Sequence, residues 1–190
     1  MSLYEKRYYT VAQLLRQEHV DSVLDFGCGD GKFLCYLAQD PFFARIGGVD
    51  ISTSRLTRAR HRIGDDSRIC LFLQSFLDPN PKFFSYAAIV VMEVIEHLEE
   101  DELHLLFQNI FQIAPSIIIA TTPNREYNWH YPTLYNGLRH SSHRFEFTQI
   151  EMKHFAEKIM SGVHNYSFNT GFCDYEGASQ FIMWKKVLEP

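Results

Sequence analysis

Val23-Leu24-Asp25-Phe26-Gly27-Cys28-Gly29-Asp30-Gly31 is the stretch that decides the architecture of this chain. Its first residues fit a short apolar strand, and the alternating glycines fit a tight turn leading into a helix predicted over 32–38. Glycine tolerates positive φ and lets a ligand come close to the backbone. The order is G-x-G-x-G, not the G-x-G-x-x-G of dinucleotide-binding turns. Asp25 precedes the turn, where a carboxylate suits a cationic ligand and would repel a pyrophosphate. A second predicted strand ends in Asp50, 21 residues after Gly29. A carboxylate there can accept both ribose hydroxyls of an adenosine ligand.

Working outward, strands and helices alternate. Helices are predicted over 4–17, 52–62, 98–113 and 150–160, with Ser52 as an N-cap. Strands are predicted over 20–26, 45–50, 68–73, 86–92, 116–121, 163–168 and 179–185. The 86–92 stretch, YAAIVVM, reads as a strand buried on both faces. This alternation predicts an α/β doubly wound sheet. Between 123 and 147 lies a polar and aromatic loop, long enough to expect a function of its own.

At 190 residues a single domain is expected, and 46% hydrophobic content is ample for a core. A net charge of −5 excludes attraction of nucleic acid by the protein as a whole, so any such contact has to be local. Cys28, Cys35, Cys70 and Cys173 lack paired spacing, which predicts reduced thiols and a cytoplasmic protein. No apolar run is long enough to span a membrane, and the first residues do not read as a signal peptide. Met1-Ser2-Leu3 has the look of a vector remnant, so this one domain would be the catalytic part of a longer protein.

The glycine turn, Asp25, Asp50 and the strand order resemble the S-adenosylmethionine-dependent methyltransferases of the Rossmann-like class. The resemblance implies a mixed seven-stranded sheet with helices on both faces, and S-adenosylmethionine held by Asp25, Gly27, Gly29 and Asp50. Ser75 follows the third strand, where this class often contacts the adenine, which makes it a candidate cofactor residue; an ordinary turn serine is the other reading.

The chemistry turns on Glu93-Val94-Ile95-Glu96-His97. On a helix Glu93, Glu96 and His97 would share one face. Two crowded carboxylates repel unless a cation lies between them. Oxygen donors with one or two imidazoles suit Mg²⁺, Mn²⁺ or Fe²⁺ better than structural zinc. A solvated helix start would equally place acids here.

Two later blocks follow: Thr121-Thr122-Pro123-Asn124-Arg125-Glu126-Tyr127-Asn128, and Leu138-Arg139-His140-Ser141-Ser142-His143-Arg144-Phe145-Glu146-Phe147-Thr148. Together with the Glu93 block they resemble the small-RNA 3′-terminal 2′-O-methyltransferase family. The resemblance implies one divalent ion, Mg²⁺ or Mn²⁺, on Glu93, Glu96, His97 and His143. It also implies methyl transfer to the 2′-hydroxyl of the last nucleotide of an RNA. The family usually has an acid where this chain has Ser142, which puts support of His143 in question, and Trp where it has Phe147. His140 falls at a variable position.

Arg139 and Arg144 flank His143 and are the candidates for RNA phosphate; Arg55, Arg58 and Arg62 share a helix face that is more plainly a solvated surface. Tyr127, Trp129, Tyr131 and Tyr135 are candidates to stack on a terminal base. The expected partners are an RNA 3′ end, from a small RNA or a repaired tRNA, and an RNA-repair or RNA-silencing protein. Two other readings use parts of the same pattern: a metal-dependent O-methyltransferase of a small diol, and a methyltransferase fold that binds without turnover.

Overall fold

The computed structural model describes residues 1–78 and 80–187. Seven strands form one sheet in the order β3-β2-β1-β4-β5-β7-β6. They are β1 (Ser22–Phe26), β2 (Arg45–Asp50), β3 (Ile69–Leu73), β4 (Ala88–Met92), β5 (Ile117–Pro123), β6 (Tyr166–Phe172) and β7 (Ser179–Lys186). The first five run parallel; β7 inserts antiparallel between β5 and β6. The sheet is therefore mixed and seven-stranded, as the resemblance implied. The fold is the Rossmann-like α/β architecture of class I methyltransferases.

Alternation along each strand sorts side chains to two faces. Val23, Ile46, Val90, Ile119 and Met183 meet α1 (Leu3–Gln17), α2 (Lys32–Ala38) and α3 (Thr53–Ile63). Leu24, Ile89, Val91, Ile118 and Trp184 meet α4 (Glu100–Ile113) and α5 (Gln149–Ile159). Both faces of the central strands are dry, which is why they read as unbroken apolar runs.

Helix ends follow local rules. Ser2 and Glu5 form a capping box on α1, Thr148 and Glu151 one on α5, and the Ser52 hydroxyl accepts from the Arg55 amide. On α1 the buried stripe is Arg7, Val11, Ala12 and Leu15, so an arginine stands where an apolar residue belongs. Of the strands, β6 was the least well placed from sequence: predicted over 163–168, it starts at Tyr166 and runs on to Phe172, because its pairing with β7 rather than its own apolar content sets its length.

The strand order reverses between β1 and β4. Doubly wound sheets leave their cleft at such a point, beyond the carboxyl ends of the strands. The glycine turn, Asp50 and the Glu93 segment all lie at those ends.

Candidate functional site

The glycine turn takes its shape from three left-handed residues: Gly27, Gly29 and Gly31 have φ of 79°, 56° and 77°. At Gly27 a Cβ would lie 2.6 Å from Val94 Cγ2, so the turn packs directly on the segment after β4. At Gly29 a Cβ would meet nothing within 4 Å, so this part of the turn faces open space. The Gly29 amide donates to Asp50 Oδ2 at 2.9 Å, and the Ser52 amide to Asp50 Oδ1 at 2.8 Å. Asp50, expected at the ribose of an adenosine ligand, thus has both carboxylate oxygens engaged by backbone amides. Asp25 is buried, and its Oδ1 has no hydrogen-bond partner. Burial, reinforced by Asp50, pushes its carboxyl well above the usual carboxylate range. An orphaned buried carboxylate oxygen beside an open glycine cradle fits the cationic, amino-acid end of S-adenosylmethionine. Ser75 lies in the turn after β3, and its hydroxyl accepts from the Leu77 amide at 3.1 Å.

The Glu93 segment is not the helix face that its spacing predicts. Glu93 has φ of +53°, Ile95–His97 form a single 3₁₀ turn, and α4 starts only at Glu100. The chain has to reverse sharply off β4, and the left-handed residue makes that turn. Ligand atoms of Glu96, His97 and His143 nevertheless all lie within 4.8 Å of one another. Glu93 is not in that group. Its carboxylate takes hydrogen bonds from Thr121 Oγ1 at 3.0 Å and Ser179 Oγ at 2.9 Å, and pairs with Arg7 Nη2 at 3.2 Å.

Each member of the trio is oriented from outside. Glu96 is 1% exposed and accepts from Thr122 Oγ1 at 3.1 Å. Burial, with Glu93 adding to it, pushes its carboxyl well above the ordinary range, so the free site stabilises a positive ligand. His97 Nδ1 faces the Ser142 carbonyl at 3.2 Å and therefore carries the proton. Burial holds this imidazole below its ordinary pKa, which keeps it neutral and able to bind a metal. His143 Nδ1 lies 2.6 Å from Glu146 Oε1. Both histidines thus keep Nε2 for a ligand. The two segments are joined directly: the Arg144 amide donates to the Glu96 carbonyl at 2.7 Å. One buried carboxylate and two oriented imidazoles make a donor set that fits a divalent ion, Mn²⁺ better than Mg²⁺.

Glu146 answers the question raised by Ser142. The acid supporting His143 comes three residues after it rather than just before it, and it is 1% exposed. Asn128 Nδ2 and the Arg139 amide donate to the same carboxylate at 2.6 and 2.7 Å. Sequence reading missed Glu146, although an i, i+3 His–Glu pair inside the block was a visible signal. It also missed Arg7, whose signal was a charge in the apolar stripe of α1.

The arginines divide. Arg139 is tied into the loop: Nε donates to Asn128 Oδ1, Nη1 to the Ala178 carbonyl and Nη2 to the Asn124 carbonyl. Its geometry is that of a loop staple whose edge reaches the cleft. Arg144 is exposed and pairs with Glu99 at 3.0 Å. Arg55 lines the cleft, while Arg62 pairs with Asp30 at 3.0 Å. Among the aromatics, Tyr131 lines the cleft under Arg139. Tyr127 stacks on His130, and Trp129 is 78% exposed. The cleft holding the trio has a volume of about 470 Å³. Among the described residues the four cysteines are free thiols, and no helix is long and apolar enough to cross a membrane.

Comparison with known proteins agrees with this layout. A family model described as a methyltransferase domain matches residues 23–114. The small RNA 2′-O-methyltransferase of Rattus norvegicus is 30% identical over 176 residues, covering 86% of this chain and 44% of that protein. That of Drosophila melanogaster is 28% identical over 187 residues, covering 88% and 48%. The chain spans about half the length of these curated relatives. The crystal structure of the methyltransferase domain of bacterial CtHen1-C superposes with a TM-score of 0.85 at 35% identity, covering 98% of this chain and 100% of that one. The small RNA methyltransferase HEN1 superposes with a TM-score of 0.84 at 26% identity, covering 99% of this chain and 27% of that one. With a turn built for S-adenosylmethionine, a metal-capable trio beside it and full coverage of the bacterial domain, the chain belongs to the small RNA 2′-O-methyltransferase family.

Proposed function

We propose that this chain transfers a methyl group from S-adenosylmethionine to the 2′-hydroxyl of the 3′-terminal nucleotide of an RNA, using one Mg²⁺ or Mn²⁺ ion. The observation that carries the reading is the convergence of Glu96, His97 and His143 from two distant segments to within 4.8 Å, at the mouth of the glycine turn. When bound, S-adenosylmethionine supplies the electrophilic methyl and the divalent ion supplies Lewis acidity that makes a ribose hydroxyl more acidic.

The protein's own part is binding and orientation. Asp25 offers its free Oδ1 to a cationic group, and the Gly29 amide and Asp50 shape the wall beside it. Arg7 has a buried Nε without a partner, so a donor and an acceptor stand ready for the two ends of a zwitterion. Arg7 also pairs with Glu93, which offsets the negative charge standing behind Glu96. Glu146 and Ser142 hold the protons of His143 and His97 on Nδ1. Glu93 stands behind Glu96, close enough to raise its pKa, and is the fourth candidate ligand.

This arrangement selects an end. A terminal nucleotide presents two adjacent hydroxyls to the Glu96, His97 and His143 face. An internal nucleotide presents one, its 3′ oxygen being closed in a phosphodiester. The RNA 3′ end is therefore the partner proposed, whether it arrives through repair or through silencing.

The test is transfer of labelled methyl to RNAs differing only in the last sugar, in chelator and after Mn²⁺ or Mg²⁺ is restored. The expected result is transfer to the 2′,3′-diol alone and only with metal. Full transfer in chelator, or equal transfer to a 3′-phosphate RNA, overturns the reading. Transfer to a catechol but to no RNA would assign the site to small diols instead.

A further inference from the structure

Three histidines border the cleft, and the third is not placed like the other two. His140 lies 5.6 Å from His143 and 6.4 Å from His97, ring centre to ring centre. The backbone amide of Ser142 donates to His140 Nδ1 at 3.1 Å. A backbone N–H can only donate, so Nδ1 is the acceptor and the proton of the neutral ring sits on Nε2. His97 is the opposite case, because its Nδ1 faces a carbonyl that can only accept. The Ser142 hydroxyl suits both, lying 3.0 Å from His97 Nδ1 and 2.6 Å from His140 Nδ1. It accepts from the first and donates to the second. Ser142 thus sets two neighbouring imidazoles in opposite tautomers.

We infer that His140 binds the substrate as a hydrogen-bond donor, its Nε2–H directed to a non-bridging oxygen of the phosphodiester that joins the last nucleotide to the rest of the strand. With the proton on Nε2 the ring has no lone pair there, so it is neither a third imidazole ligand nor a proton acceptor at that atom. The inference rests on the proposed function for the identity of the strand. In that reading Glu96, His97 and His143 take the ribose edge; His140 stands one ring farther out and lines the same cleft, to which Arg139 and Arg55 also contribute. An anionic oxygen, which only accepts, suits a fixed donor better than a hydroxyl does. Ser142 is a positioning residue, acting through the two rings that it orients.

The first test uses the metal-free protein alone. Long-range ¹⁵N correlation spectra of the histidines are expected to show His140 protonated on Nε2, and His97 and His143 on Nδ1. A His140 protonated on Nδ1 overturns the inference. The second test compares variants. His140→Ala is expected to raise the KM for a 3′-diol RNA by about tenfold, with Mn²⁺ affinity by calorimetry unchanged. His140→Gln, whose amide can present an N–H near the Nε2 position, is expected to recover most of the loss. A fall in Mn²⁺ affinity with His140→Ala would make His140 a ligand, and a loss confined to kcat would make it a proton carrier; either overturns the inference. A methylphosphonate at the last linkage is expected to weaken the wild-type protein and leave His140→Ala indifferent; equal weakening of both overturns the assigned acceptor. Wild-type protein that methylates no 3′-diol RNA overturns the proposed function as well, whereas normal transfer with an unaffected His140→Ala overturns this inference alone.

Discussion

The glycine turn and the 124–148 loop both follow the carboxyl ends of sheet strands, β1 and β5, yet they are built in opposite ways. The turn is a backbone device. Gly27 and Cys28 donate to the Val49 carbonyl, Gly31 to the Cys28 carbonyl, and the glycines supply the left-handed angles. The loop is a side-chain device. Asn128, Arg139 and Glu146 satisfy one another and hold His143, while Asn124 and Gln180 moor the loop to β7 and its approach. A backbone device tolerates most side chains and fails at its glycines. A buried polar network fails at every member, because each loss strands a partner.

The largest effect should come from the side-chain half. Glu96→Gln and His143→Ala are expected to lower methyl transfer by roughly 10³-fold, several kcal/mol of Lewis-acid stabilisation being lost. Glu96→Gln should at the same time stabilise the metal-free protein by about 1 kcal/mol, because it removes a buried carboxylate whose ionisation the fold disfavours. The sign follows from the raised pKa: the ionised Glu96 opposes folding as pH rises above its unfolded value. A metal-free Tm that falls in this variant would show Glu96 to be a stabilising group.

Glu146→Gln sharpens the contrast, since it touches no proposed ligand atom of the site. It should weaken Mn²⁺ binding by about 10- to 100-fold, read by calorimetry, and lower Tm. Unchanged affinity would reduce Glu146 to a loop residue. Gly27→Ala tests the backbone half. The added Cβ strains a positive φ and meets Val94, so a loss of about 2–3 kcal/mol is expected in denaturant unfolding. Adding Val94→Ala should return the steric part and leave the backbone part. Ser75→Ala is expected to do least, within about 0.5 kcal/mol in stability; a marked rise in the KM for S-adenosylmethionine would place it at the cofactor.

The same division explains what could be read from residues alone. Parallel strands, the turn and Asp25 were legible because apolar runs, glycines and an acid before a turn are local signals. The trio's members were legible as residue types, but their spacing pointed to a helix that does not exist. A sharp reversal off β4 and a 3₁₀ turn bring Glu96 and His97 together instead, and no local pattern announces a left-handed glutamate. Arg139 was read as a candidate for RNA phosphate because it flanks His143; its tie into the loop was not legible. Its three carbonyl and amide acceptors come from residues as far away as Ala178, and only tertiary structure shows them. Glu93 was legible as a candidate ligand, but its partners Arg7 and Ser179 were not, because both are distant in the chain.

The insertion of β7 beside β5 carries a consequence for synthesis. Ser179 and Gln180, which brace Glu93 and the end of the loop, are among the final residues of the described chain to leave the ribosome. The first five strands can pair in parallel well before then, but the cleft stays unfinished until that antiparallel ribbon threads into place. A nascent chain halted after β5 would present the cofactor turn without a braced catalytic wall, so competence waits for β7.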